Sequence, residues 1–214
     1  YVVNAPLSPP ETAAALIPYN EVALTLGRLV SQLAEGNPQK LRFQYRGDIS
    51  QYDNNVLTAS ALRGFLEAIS EERVSIVNAN LVAQRRGLRI TELKEVNAEP
   101  YTSLITIQVD TDLGTTSATG TLIRGQVHII QVNDYYMDLV PSGAYWLFAD
   151  HKDRPGMIGT IGTITGEANV NISSMQVGRL EARGAALTVL GLDEWLDDDM
   201  RHKILSIPDI SRVR

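Results

Sequence analysis

A strand that runs into a helix through His151-Lys152-Asp153-Arg154-Pro155-Gly156 constrains this chain more than any other stretch. Before it, Tyr145-Trp146-Leu147-Phe148-Ala149 is an unbroken aromatic and apolar run of the kind that fills a buried strand. After it, Met157, Ile158, Ile161 and Ile164 recur at helical spacing. The six residues are therefore read as a strand-to-helix turn. Asp153 is expected to cap the helix, Pro155 to sit in its first turn, where a missing N–H costs nothing, and Gly156 to let another group approach the backbone. Such a helix start offers unpaired N–H donors and a positive dipole end to the carboxylate of a small ligand, although an ordinary capped helix would carry the same residues.

The residues that follow extend the pattern. The helix should stop near Gly166, with a second strand beginning at Asn169-Val170-Asn171-Ile172-Ser173 and a turn at Leu180-Glu181-Ala182-Arg183-Gly184. Ala185 to Leu190 is a third strand, short and almost wholly apolar. Asp197-Asp198-Asp199 opens a second helix, acids against its positive end, with Leu196, Met200, Ile204 and Ile207 on one face and Pro208 after it. Ile210 to Arg214 alternates apolar and polar as a last strand. The order βαββαβ is that of ferredoxin-like folds.

The earlier part of the chain reads as a mixed α/β domain with a largely antiparallel sheet. Pro6, Pro9, Pro10 and Pro18 keep the first 18 residues extended, as a linker from a preceding part. Val22, Leu26, Leu29, Val30 and Leu33 make a helical stripe closed by Gly36-Asn37-Pro38. In the next strand Leu41, Phe43 and Tyr45 alternate with Lys40, Arg42, Gln44 and Arg46. The three cations share a face, solvated in the plain reading and able to hold an anion such as phosphate in the other. Leu57, Ala61, Leu62, Phe65, Leu66 and Ile69 mark a second helix, with Arg63 between the core positions, and residues 78–86 a third, ended by Gly87. Strands follow at 88–93, 104–109, 116–123, 126–132 and 135–139, the last two joined by Asn133-Asp134, a tight-hairpin loop. Pro141-Ser142-Gly143 marks the expected boundary, giving domains at 19–143 and 144–214.

Several kinds of chemistry are excluded by what the chain lacks. It has no cysteine, hence no disulfide, thiolate nucleophile or cysteine-ligated cluster. No Gly-x-Gly-x-x-Gly follows a strand, so no dinucleotide loop is expected; Gly156, Gly159 and Gly162 lie within a helix and suit close packing against a sheet or partner. The three histidines form no triad, and no spacing suggests a metal site. Lys and Arg number 11 against 15 acids up to Gly143 and 8 against 10 beyond it, so neither half has the basic face that nucleic acid requires. No run approaches a membrane span, and the first residues lack a secretory pattern, which points to the cytoplasm or an organelle matrix.

From about Ala144 onward the chain resembles an ACT domain, on the strength of His151-Lys152-Asp153-Arg154-Pro155-Gly156 followed by Asn169-Val170-Asn171-Ile172. Taken with Ser60-Ala61-Leu62-Arg63-Gly64, Val77-Asn78-Ala79 and Ser117-Ala118-Thr119-Gly120-Thr121-Leu122, nearly the whole chain resembles the regulatory region of long-form D-3-phosphoglycerate dehydrogenases. The resemblance implies an intervening domain and an ACT domain whose NAD-binding catalytic part lies elsewhere, so that this piece carries no cofactor and is inactive alone. It implies homo-oligomers formed through the ACT domain and through the intervening domain, with L-serine or a similar small amino acid held between two ACT domains to inhibit the enzyme. Carried over residue by residue, the effector site is His151, Asp153 and Asn171, with main-chain groups from Pro155, Gly156 and Ile158. In some relatives cations late in the intervening domain bind phosphate or the phosphorylated substrate. Here His128, Tyr135 and Val140 stand in that region, a departure that leaves Lys40, Arg42, Arg46 and His128 as a weaker anion candidate. The rival reading is an assembly module that binds no small molecule.

Overall fold

The computed structural model describes residues 14–141 and 145–214, and the chain divides into two compact units, residues 1–133 and 134–214. Most of the expected linker lies outside the described residues, but residues 14–16 are helical and Leu16 is buried at 2% exposure. The extended reading fails there because Pro18 sits at a helix boundary in helical geometry (φ −62°), where proline is tolerated.

In the first unit, helix α1 (Tyr19–Leu33) buries the whole predicted stripe together with Ala23 and Gly27. Strand β1 (Pro38–Gly47) alternates as its sequence requires, with Leu41, Phe43 and Tyr45 buried and Arg42 exposed on the other face. A short 3-10 turn leads to α2 (Asn55–Glu67), then α3 (Ala79–Arg85), β2 (Arg89–Glu95), β3 (Ser103–Thr111), β4 (Thr115–Ile123) and β5 (Gln126–Val132). The strands lie in the order β2-β1-β3-β4-β5, with β2 parallel to β1 and the other pairs antiparallel.

The crossing of α1 and α2 depends on two glycines. A Cβ at Gly27 would fall inside the Ala61 carbonyl, and one at Gly64 inside the Leu24 carbonyl. Each helix thus presents bare backbone to the other, and Ser31 Oγ donates to the Phe65 carbonyl at 2.7 Å across the same junction. Tyr45, fully buried, meets the Thr58 hydroxyl at 2.8 Å, and burial pushes its phenol far above the usual tyrosine range. Arg63 is a surface residue that pairs with Glu67 at 2.7 Å, one turn on.

The units part at Asn133-Asp134, the two-residue turn between β5 and β6 (Tyr135–Leu139); of the Pro141-Ser142-Gly143 break read from the sequence, Ser142 and Gly143 lie outside the described residues. Asn133 takes a left-handed conformation (φ 50°) there, as tight hairpin turns require. In the second unit β6 lies beside the later strands, so closely that a Cβ on Gly178 would meet Met137 and Tyr135.

The rest of this unit runs β7 (Tyr145–Lys152), α4 (Met157–Glu167), β8 (Ile172–Arg179), β9 (Ala185–Leu192), α5 (Asp198–Leu205) and β10 (Ile210–Val213). Its sheet order β10-β7-β9-β8, antiparallel throughout, is that of a ferredoxin-like fold. The core gathers Leu147, Met157, Ile161, Val170, Leu190, Leu192, Leu196, Ile204, Ile207 and Ile210. Ile158 is not part of it. At 46% exposure it lies off the inward face, which runs through Met157, Ile161 and Thr165 at four-residue steps. The second strand starts later than its sequence suggested, because Asn169 takes φ 56° in a turn. Asp197 caps α5 by accepting from the Met200 N–H at 2.8 Å, as its acidic run indicated. Replacing Asp197 with alanine is expected to lower stability by about 1 kcal/mol in denaturant melts.

Candidate functional site

The polar corner of the second unit forms where β7 ends. His151 is still within the strand, paired with Ala186 of β9 on one side and Ile210 of β10 on the other, and is 6% exposed. Its Nδ1 lies 3.0 Å from the Lys152 carbonyl, which only accepts, so Nδ1 carries the proton. Nε2 then accepts from the Thr188 hydroxyl at 2.7 Å. His151 was expected in the strand-to-helix turn; pairing on both flanks carries β7 through it, and both ring nitrogens are engaged within the chain.

Asp153 leaves the sheet with its N–H donating to the Gly184 carbonyl at 2.8 Å. It does not cap α4. Its Oδ2 accepts from the Arg183 backbone N–H at 3.2 Å and from Arg179 Nη1 at 3.1 Å, contacts that hold the carboxyl below the usual aspartate range. Oδ1 has no partner among the described residues. The cap position belongs to Gly156 at φ 88°. A Cβ there would meet nothing within 4 Å, so the glycine serves the backbone angle and not a close approach. Pro155 stands just outside the helix, in the turn.

Met157 N–H bonds back to the Arg154 carbonyl at 3.4 Å, whereas the N–H groups of Ile158 and Gly159 find no acceptor among the described residues. An unengaged carboxylate oxygen and free helix donors are therefore two features of the same short turn. One suits an ammonium and the other a carboxylate. Gly159 and Gly162 face open space within this chain, so the expected close packing of α4 on its own sheet does not occur at these positions.

Asn171 precedes β8 and is exposed. Its Nδ2 donates to Asp193 at 2.6 Å and its N–H to Glu194 at 2.8 Å. It stands at the wrong end of the sheet to join Asp153. Ile172 aligns through Leu192 with Tyr145, the first residue of β7, whereas His151 aligns through Ala186 with Arg179. The length of β7 separates the two, about 20 Å at about 3.3 Å per residue. A single copy therefore does not assemble His151, Asp153 and Asn171 into one site.

The weaker anion candidate is also dispersed. Lys40, Arg42 and Arg46 do share a face of β1, but Arg42 is committed to Asp110 at 2.7 Å. Although burial opposes it, hydrogen bonds from Gln108, Arg42 and Thr115 hold Asp110 below the usual aspartate range. His128 pairs with Thr121 on β5, three strand positions from β1, about 14 Å at about 4.8 Å per step. Thr188, Arg179 and Asp209, all of which position the β7–α4 turn, carried no sequence signal; Arg183 did stand in a recognised turn.

The fold defines a two-unit α+β protein whose second unit has a ferredoxin-like sheet, with a polar corner where β7 gives way to α4. A family model described as D-3-phosphoglycerate dehydrogenase intervening domain matches residues 15–133. The chain is 39% identical over 97% of its length to a D-3-phosphoglycerate dehydrogenase of Synechocystis sp. and 33% identical over 99% to that of Bacillus subtilis. It is 36% identical over 94% to D-3-phosphoglycerate dehydrogenase 2, chloroplastic, of Arabidopsis thaliana. It spans only 38%, 40% and 35% of those relatives. The chain belongs to the D-3-phosphoglycerate dehydrogenase family.

Proposed function

We propose that this chain is the regulatory part of a D-3-phosphoglycerate dehydrogenase, its second unit an ACT domain that takes L-serine or a similar small amino acid between two copies and thereby inhibits NAD-dependent oxidation of 3-phosphoglycerate. The observation that supports it is Asp153, clamped through Oδ2 by Arg183 and Arg179 with Oδ1 left for an ammonium, in the turn that carries the free Ile158 and Gly159 N–H groups. His151 positions that turn through the Lys152 carbonyl and does not contact the ligand. Asn171 is supplied by the second copy. Gly159 and Gly162 are helical positions of α4 and make no phosphate loop, so they are not arranged to hold the NAD pyrophosphate. The compartment is the cytoplasm or a plastid; no described helix is long and apolar enough to cross a membrane, and one relative is named as chloroplastic.

Calorimetric titration with L-serine tests the reading. Saturable heat is expected, weakened about tenfold or more by Asp153→Asn, which removes a charge-assisted bond. Because the Asp153 carboxyl is held below its usual range, binding should persist as pH falls until that depressed ionisation is reached. Absence of heat at every pH would leave pure assembly, for which β8 at the sheet edge and the exposed Met175 are suited.

A further inference from the structure

The sheet of the first unit ends at β2, which pairs with β1 along one side and has no strand on its other side among the described residues. An edge of this kind presents a row of unpaired N–H and C=O groups, and it is usually blunted by a proline, a bulge or a covering element. β2 contains no proline or glycine, and its register with β1 runs unbroken from Lys40 opposite Arg89 to Arg46 opposite Glu95. Every residue in it but Ile90 is exposed. Leu93 is 54% exposed beside polar Gln44 of β1, and Val96, the next residue after the strand, is 89% exposed. Two large apolar side chains thus stand open to water at an unprotected edge.

The order of charges along this edge selects its partner. An antiparallel second copy of the strand, related by a two-fold axis through Leu93, sets Leu93 against Leu93, Ile90 against Val96, Glu92 against Lys94 and Thr91 against Glu95. Both exposed apolar residues are then covered, and two opposite-charge pairs form across the junction. Moving the axis by one residue in either direction sets Glu92 or Lys94 against its own copy, and like charges directly opposite are destabilising. Within one copy Lys94 already lies 3.4 Å from Glu92 and donates to the Tyr52 carbonyl at 2.6 Å, so the two charges stand together on one face of β2. A second copy extends this pair into a network of alternating sign. We propose that β2 joins two copies of this chain edge to edge, antiparallel about Leu93, so that the first-unit sheet continues from one copy into the other. The proposal does not draw on the amino-acid reading of the second unit.

The chain has no cysteine, so a single introduced thiol can trap the pairing covalently. Facing residues of an antiparallel pair have Cα atoms about 4.5–5.5 Å apart, inside the range of about 4.4–6.8 Å that a disulfide spans. Mild oxidation of the 214-residue Leu93→Cys chain, followed on non-reducing gels, is expected to yield a covalent dimer. It should form at least about tenfold faster than with Leu113→Cys, a 73% exposed turn residue that reports random collision, because paired thiols have a high effective concentration. Thr91→Cys and Glu95→Cys, each about 13 Å from its own copy in this register, should remain uncross-linked alone and cross-link when mixed. All of these positions are exposed, and denaturant melts under reducing conditions check that each variant keeps its fold. Cross-linking of Leu93→Cys no faster than of Leu113→Cys, or of Thr91→Cys without its mixing partner, would overturn the pairing. So would a Leu93→Cys chain that cross-links only after residues 1–13 are removed, a result that assigns the edge to that segment.

Discussion

Gly27→Ala and Gly64→Ala are each expected to destabilise the first unit by about 3 kcal/mol, the upper part of the range for forcing atoms into a filled core. The added methyl meets a backbone carbonyl, Ala61 in one case and Leu24 in the other, and a carbonyl engaged in its own helix does not rotate away. Relief requires α1 and α2 to separate, which would also loosen the Ser31 to Phe65 carbonyl bond at 2.7 Å and the packing of Leu26 and Leu62. Alanine's better helix propensity returns only about 1 kcal/mol of this. Gly159→Ala and Gly162→Ala supply the control, since a Cβ at either meets nothing within 4 Å. Those substitutions should stabilise the second unit by up to about 1 kcal/mol. Denaturant melts followed by circular dichroism, read unit by unit, separate the pairs. Equal responses from all four variants would show that propensity and not the helix crossing governs them.

The same glycines show what a sequence conveys and what it withholds. Alternation in β1 and the stripe of α1 were legible because each position's burial follows from a local period, and Leu41, Phe43, Tyr45, Val22 and Leu26 all lie at or below 1% exposure. The Asp197 cap was legible for the same reason, its partner being three residues away. Asp153 carried a similar local signal, but Arg179 and Arg183 from the next hairpin capture its carboxylate, and nothing within a helical turn of Asp153 announces them. His151 was misplaced by a pairing with Ile210, far along the chain. Gly27 and Gly64 were unreadable as a pair, since only the crossing of two helices tells a glycine that admits a backbone from one that merely weakens a helix. The residues carried over from the resemblance are present as named, yet the sheet register places Asn171 and Asp153 at opposite ends of β7.

That separation leads to the second large effect. If the effector site takes Asp153 from one copy and Asn171 from another, Asp153→Ala and Asn171→Ala should each abolish L-serine heat, and mixing the two inactive proteins should bring part of it back. In a dimer with two equivalent sites, a mixed pair of chains has one site with both residues intact and one with neither. Random reassortment of equal amounts puts half the molecules in mixed pairs, so about a quarter of the wild-type sites should reappear, with wild-type affinity. The recovered fraction, not the affinity, is the diagnostic quantity, because each restored site is chemically complete. Asn171 makes the test demanding: it already donates to Asp193 at 2.6 Å, leaving its side-chain oxygen and second amide hydrogen for the ligand. Recovery of heat at lower affinity would mean that the second copy offers a different group. A mixture as silent as its components, after exchange of chains has been verified by labelled subunits, would rule out a site shared in this way and return Asn171 to its role in tying β8 to Asp193 and Glu194.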